Sequence, residues 1–186
     1  MPRSIILGIS QRRTFRRLVE NSRERLYRMA FAWTHDPHLA DDLVQQALYK
    51  ALNNYKQLKD YGAAEAWLFR ILSNCLKDHY RAKRDTICSD DVVIADNVTP
   101  EHRTEEQQLV QKVRGAVRSL PLAQRQVVTL VDLEGFTYTA VAEILEVPVG
   151  TVMSRLCRGR KALKDRLIDV GAATEPNRSA QLKRVK

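Results

Sequence analysis

The segment from Val147 to Leu167 concentrates the side chains best suited to binding a polyanion. A Pro-x-Gly turn precedes it, and the apolar residues that follow recur every three or four positions, which predicts an amphipathic helix. Its predicted apolar face is Val152, Leu156, Gly159, Leu163 and Leu167. Its cations are Arg155, Arg158, Arg160, Lys161, Lys164 and Arg166. The pattern therefore predicts a helix that is buried on one side and strongly basic on the other.

A shorter helix is predicted just before this basic segment. Thr137 is a suitable N-cap for the sequence YTAVAEILE, whose apolar residues Val141, Ile144 and Leu145 share one face. Two short helices joined by a tight turn, the second one basic outside and apolar inside, indicate a helix-turn-helix.

In that motif the second helix enters the major groove of DNA with its N-terminal end first. We therefore expect base-edge contacts from Thr151, Ser154 and Arg155, and phosphate contacts from Arg158, Arg160 and Lys161. Two other interpretations remain open for this segment alone: a solvated surface helix, and a surface for an acidic protein.

A second basic face occurs earlier, in AWLFRILSNCLKDHYRAKR, which runs from Ala66 to Arg84. Its predicted apolar stripe is Leu68, Ile71, Leu72, Cys75, Leu76 and His79. The opposite side aligns one amide and four cations: Arg70, Asn74, Lys77, Arg81 and Arg84. Trp67 fits the core better than a stacking platform, whereas Tyr80 fits either.

A helix with a polar outer face is predicted upstream of this segment. Asp36 is placed as its N-cap and Pro37 as its first residue. Its predicted buried residues are Leu39, Leu43, Ala47, Ala51 and Tyr55, with Val44, Leu48 and Leu52 beside them. The polar residues left at or near the outer face are Asp41, Asp42, Gln45, Gln46 and Tyr49.

The net charge, the hydropathy and the cysteine content limit the partners and the location expected for the chain. The 186 residues carry a net charge of +9, which favours nucleic acid or an anionic membrane as partner. No apolar run is long enough to cross a bilayer, so we expect no membrane insertion. Three widely spaced cysteines form no disulfide framework, which indicates a reducing cytoplasm.

The fold class predicted is all-α, with two small helical domains joined by a flexible acidic linker. The domains are residues 1–84 and 109–169, and a polar tail covers 170–186. The linker, residues 85–108, holds seven acids and one arginine, for a net charge of −6.

Enzymatic chemistry has little support in the sequence. Cys75 and His79 stand four apart on a predicted helix, but two ligands do not close a zinc site, and no CxxC or HExxH accompanies them. Neither a phosphate-binding glycine loop nor a nucleophile elbow is present. We predict that the chain is not an enzyme and holds no metal or cofactor.

Three motifs in this order resemble the extracytoplasmic-function group of bacterial sigma factors. They are DDLVQQALYKAL (Asp41 to Leu52), AWLFRILSNCLKDHYRAKR (Ala66 to Arg84) and LPLAQRQVVTLVDLEGFTYTAVAEILEVPVGTVMSRLCRGRKAL (Leu120 to Leu163). The resemblance covers about 15–84 and 109–167, and it implies a protein that binds RNA polymerase core, directs it to specific promoters and nucleates their melting.

The resemblance assigns a role to each face. Docking on the clamp helices of the largest polymerase subunit is implied for Asp41, Asp42, Leu43, Gln45, Gln46 and Tyr49. Members usually carry Glu where Gln46 stands, so one carboxylate is missing from any salt bridge to the core.

The first domain is implied to recognise the minus-ten promoter element, and the helix-turn-helix the duplex minus-thirty-five element. Single-strand contacts are implied for Arg70, Asn74, Lys77, Arg81 and Arg84, and a pocket for a flipped base for Asp60, Tyr61, Gly62, Ala63 and Ala64. An anti-sigma factor is a further implied partner. The alternative is a stand-alone helix-turn-helix regulator, which would bind its operator without polymerase core.

Overall fold

The computed structural model describes residues 3–58, 60–86 and 105–172, and these residues form α-helices and short turns without any β-strand. The all-α prediction is therefore confirmed. Most of the predicted acidic linker and the polar tail, residues 87–104 and 173–186, lies outside the described residues.

Three helices form the N-terminal helical unit: α1 (Arg3–Thr34), α2 (Pro37–Asn54) and α3 (Ala64–Thr86). The predicted start of α2 is confirmed, because the side chain of Asp36 accepts hydrogen bonds from the amides of His38 and Leu39, at 2.9 and 3.1 Å. These bonds satisfy two of the amides that every helix leaves unpaired at its start.

The C-terminal helical unit comprises α4 (Glu105–Arg118), α5 (Leu122–Val128), α6 (Tyr138–Leu145) and α7 (Val149–Ala172). A wider π-helical turn, Thr129–Leu133, continues α5 before Gly135 turns the chain with a φ of 75°. Thr137 caps α6 as predicted, accepting a hydrogen bond from the amide of Ala140 at 3.2 Å. The short α6, a turn and the long α7 make the predicted helix-turn-helix.

Four predicted boundaries differ from the structure, one of them the start of the tail, since residues 170–172 still belong to α7. Residues 85–86 still belong to α3, and residues 105–108 already belong to α4, so the interval between helices is shorter than predicted. The turn before α7 also ends earlier, since Gly150 lies inside the helix.

Buried side chains of both units pack together rather than forming separate cores. The continuous cluster runs from Phe15 on α1 to Leu156 on α7. Phe69 of α3 meets Phe136 edge to face, with ring centroids 5.1 Å apart. The buried indole of Trp33, at the end of α1, donates to the hydroxyl of Thr129 at 2.8 Å. The two units are thus in direct contact in this structure.

Candidate nucleic-acid interface

The outer face of α2 presents the polar surface that the sequence predicts. Tyr49 is 70% exposed, and Asp42, Gln45 and Gln46 are exposed as well. Asp41 is half-buried, and its carboxylate accepts a hydrogen bond from the side-chain amide of Gln45 at 2.6 Å.

The structure differs from two expectations for apolar residues of α2: the docking role that the resemblance implied for Leu43, and the burial that periodicity predicted for Leu52. Leu43 is only 1% exposed, so its side chain cannot be part of a docking surface. It belongs to the buried row formed with Ala40, Val44 and Ala47, which packs in the core of the unit. Leu52, by contrast, is exposed, because it lies one position beyond the buried Ala51.

The predicted polar face of α3 is confirmed as a surface. Arg70 and Arg81 are exposed, whereas Asn74 and Lys77 are half-buried, and the side chain of Arg84 lies outside the described residues. The ammonium of Lys77 donates to the Asn74 side-chain oxygen at 3.2 Å, which aligns the two. The opposite stripe is buried at Leu68, Leu72, Cys75 and Leu76 and partly buried at Ile71 and His79.

Glu146, which the sequence analysis did not single out, is bound to this face. It ends α6 in the left-handed conformation with a φ of 58°. Its two carboxylate oxygens lie 3.0 Å from a guanidinium nitrogen of Arg70 and 3.2 Å from the ammonium of Lys77. The hydrogen bond from Lys77, together with the nearby charges, holds the pKa of Glu146 below its ordinary value.

A cavity of about 300 Å³ opens beside the same face. Asp60 and Ala63 from the predicted base pocket line it, together with the half-buried Trp67, whose ring also packs on Phe15 with centroids 6.0 Å apart. Asp60 shapes the loop by accepting a hydrogen bond from the amide of Gly62 at 2.8 Å. The side chain of Tyr61 lies outside the described residues.

Ala64 does not contribute to the wall of this cavity. Its exposure is 0%, because it is the first residue of α3 and faces the core. The predicted loop therefore ends one residue earlier than the sequence indicated.

Most of the residues predicted to contact bases and phosphates lie on the outward face of α7. Ser154, Arg158, Arg160 and Lys161 are exposed, while Thr151 and Arg155 are half-buried at its edge. The face also exposes Met153 and Cys157, which the sequence analysis left out although they follow the same helical spacing.

Hydrogen bonds hold two cations of this face in place. Arg158 donates from Nε to the backbone oxygen of Ser154 at 3.2 Å. Arg160 donates from Nε to Asp132, in the π-helical turn, at 3.2 Å. The first bond keeps a guanidinium close to the N-terminal half of α7.

Two family models match this chain, one in each helical unit. Residues 18–86 match the family Sigma-70 region 2, and residues 111–163 match Sigma-70, region 4. The chain is 35% identical over 133 residues to the ECF RNA polymerase sigma factor EcfG of Rhodopseudomonas palustris, covering 72% of this chain and 74% of that relative. The chain belongs to the ECF family of RNA polymerase sigma factors.

Two further relatives describe how far the likeness extends. This sigma factor is 34% identical over 158 residues to ECF RNA polymerase sigma factor SigE of Mycolicibacterium smegmatis, covering 81% of this chain but 60% of that longer relative. It also superposes on the sigma factor RpoE of Bartonella quintana, solved with the anti-sigma factor NepR, with a TM-score of 0.67 and 25% identity over 83% of this chain and 97% of that one.

Membership of this family makes the sigma factor a transcription initiation factor rather than an enzyme, as predicted. Among the residues that the structure describes, no group of three or more potential ligands is arranged to hold a metal ion. Cys75 is buried, and burial raises the pKa of its thiol, which disfavours the thiolate that metal binding needs. In the same described ranges, no helix is long and apolar enough to span a bilayer.

Proposed function

We propose that this sigma factor divides promoter recognition between its two helical units. The N-terminal unit would bind RNA polymerase core and capture the melted minus-ten strand, and the C-terminal unit would bind the duplex minus-thirty-five element. The observation that carries the proposal is the separation of an exposed polar face on α2 from two cationic faces, one on α3 and one on α7.

The core-binding role would fall to Asp41, Asp42, Gln45, Gln46 and Tyr49. A solvent-exposed tyrosine among carboxylates and amides is a suitable docking surface, since aromatic residues anchor interfaces and the polar groups orient them. The clamp helices of the largest polymerase subunit are the proposed partner. Because Gln46 is neutral, it would contribute a hydrogen bond and not a salt bridge.

The minus-ten role would fall to α3 and the neighbouring cavity. Strand separation costs stacking and pairing energy, which is recovered only if the exposed strand is bound. Arg70, Asn74, Lys77 and Arg81 supply donors for its phosphates and bases. The walls that Asp60, Ala63 and Trp67 contribute to the neighbouring cavity would form a recess for one unstacked base.

The minus-thirty-five role would fall to the first three turns of α7. Thr151, Ser154 and Arg155 would contact base edges, and Arg158, Arg160 and Lys161 phosphates. The exposed thioether of Met153 offers an additional apolar contact, for example with a thymine methyl group.

We also propose a protein partner and a cellular location. An anti-sigma factor is a suitable partner, since the RpoE relative was solved in complex with one. The cytoplasm is the proposed location, because polymerase core and promoter DNA are found there.

Run-off transcription tests the proposal. Purified core polymerase would be combined with a library of genomic promoter fragments, with and without the sigma factor. We expect new transcript start sites only when the sigma factor is present, and weak binding of duplex promoter DNA by the sigma factor alone. Tight operator binding without core, and no redirected starts, would instead establish a stand-alone regulator.

A further inference from the structure

The cations of the α3 face are already occupied by a carboxylate of the same chain. Glu146 receives Arg70 and Lys77 on its two oxygens at 3.0 and 3.2 Å, and Lys77 also donates to the backbone oxygen of Leu145 at 3.0 Å. Arginine and lysine bind phosphate through the same kind of charged hydrogen bond that they make to a carboxylate. A strand phosphate therefore competes with this carboxylate for the two side chains.

The same part of the chain forms one wall of the cavity beside α3. Of its lining residues, Glu143 and Ile144 come from α6, whereas Asp60, Ala63 and Trp67 come from the N-terminal unit. A base could not enter from that side while α6 remains against α3.

Contacts of α1 with α5 and with the residues in and just after the π-helical turn hold the C-terminal unit, and with it α6, in this position. Trp33 donates to the Thr129 hydroxyl at 2.8 Å, and the guanidinium of Arg125 donates to the backbone oxygen of Trp33 at 2.7 Å. Arg25 donates to Glu134 at 2.8 Å, and the side chain of Glu134 is only 5% exposed. Such partners are costly to leave unpaired, so these contacts favour the closed arrangement of the two units.

We propose that α6 and Glu146 are an intramolecular occupant of the minus-ten surface, with the Glu146 carboxylate in the place of a strand phosphate. The proposal rests on the proposed function of α3. In this closed arrangement the free sigma factor binds a melted strand only weakly. Core polymerase must draw the units apart before Arg70, Lys77 and the cavity become available.

The test measures single-strand binding by the full chain in the absence of core. The probe is a fluorescein-labelled 12-nucleotide single-stranded DNA of random sequence, followed by fluorescence anisotropy. Removing two exposed ion pairs with Glu146→Gln should tighten binding about two- to tenfold. Small-angle X-ray scattering of the Glu146→Gln variant without DNA should show a larger radius of gyration than that of the unmodified chain.

Two further variants separate opening of the chain from a change in charge. Asp78→Asn removes the same charge from α3 itself, where Asp78 pairs with Lys50 at 3.3 Å inside the N-terminal unit. It should leave the radius of gyration unchanged and alter the DNA affinity less than twofold. Thr129→Val removes the bond to Trp33 without changing any charge or any DNA-facing residue, and it should both expand the chain and tighten DNA binding.

The outcomes distinguish this proposal from the function it rests on. Circular dichroism first establishes that each variant keeps its helices; Glu146→Gln alters a side chain that is 42% exposed, so the fold should be retained. Suppose that Glu146→Gln and Thr129→Val match Asp78→Asn in both measurements while the chain still directs run-off transcription. The closed arrangement is then refuted, and the proposed function stands. If the chain never redirects core polymerase, the proposed function fails whatever the variants show.

Discussion

Gly159 marks the closest approach of α7 to α5. A Cβ atom at this position would lie 2.7 Å from Cγ2 of Val128 and 3.5 Å from Cβ of Gln124. Val128 is itself buried and β-branched, so it has little room to move. Gly159→Ala should lower the free energy of unfolding by about 1–3 kcal/mol, measured by urea denaturation.

Gly115 is the matched control, because it also lies within a helix, α4, but a Cβ there meets nothing within 4 Å. Gly115→Ala should raise the free energy of unfolding by about 0.5–1 kcal/mol, through the lower entropy of the unfolded chain. Equal changes in the two variants would contradict the close packing of α7 on α5.

Asp36 fixes the start of α2 and thus the direction of the proposed docking face. Asp36→Ala leaves the amides of His38 and Leu39 without their acceptor and should cost about 1 kcal/mol of stability. Asp36→Asn keeps an acceptor oxygen and should cost much less. Thermal melting of both variants checks this, and a loss as large in Asp36→Asn would point to charge rather than capping.

At the scale of the element, α3 and α7 should act at different steps of initiation. Asn74→Ala on α3 should reduce promoter opening about tenfold while closed complexes still form, since it removes a donor for the melted strand. Permanganate reactivity of unpaired thymines measures opening, and a band shift in the cold measures the closed complex.

Arg155→Ala on α7 should show the converse pattern. Losing one base-edge contact should weaken the closed complex about tenfold, chiefly on promoters with a strong upstream element. Arg28→Ala removes a cation from α1 that pairs with Glu24 on the same helix, and it controls for net charge. If Asn74→Ala and Arg155→Ala impaired both steps equally, the division of labour between the helices would be wrong.

At the scale of the whole molecule, the closed arrangement should open in acid. The pKa of Glu146 is lowered by the hydrogen bond from Lys77 and the charges of Lys77 and Arg70, so its stabilising effect is complete above its ordinary pKa. That effect is lost as the pH falls through the lowered value. The radius of gyration should rise there, before helicity is lost.

Glu146→Gln provides the comparison for this pH dependence. Its side chain does not titrate, so the acid-dependent rise in radius should be smaller than in the unmodified chain. A rise of the same size in both would assign the acid opening to other carboxylates.

The sequence determined the helices and the faces they expose. Local periodicity, the cap at Asp36 and the left-handed glycine at 135 act within a few residues, so they specify helix starts, ends and polar surfaces without reference to the rest of the chain. The polar face of α2 and the cationic faces of α3 and α7 were predictable for this reason. Periodicity predicted the burial of Leu43 correctly, but the resemblance also placed Leu43 on the docking surface and Ala64 in the base pocket. Both side chains are buried, because a motif assigned by resemblance does not distinguish the residues that shape a surface from those that form it.

Only the tertiary structure decided how the two units meet. The contacts of Trp33 with Thr129, Phe69 with Phe136, and Glu146 with Arg70 join residues that are far apart in sequence. No periodicity within one helix specifies such pairs, since each depends on the packing of a neighbour that the local sequence does not encode. The structure therefore placed a carboxylate on cations that the sequence alone would have left free for DNA.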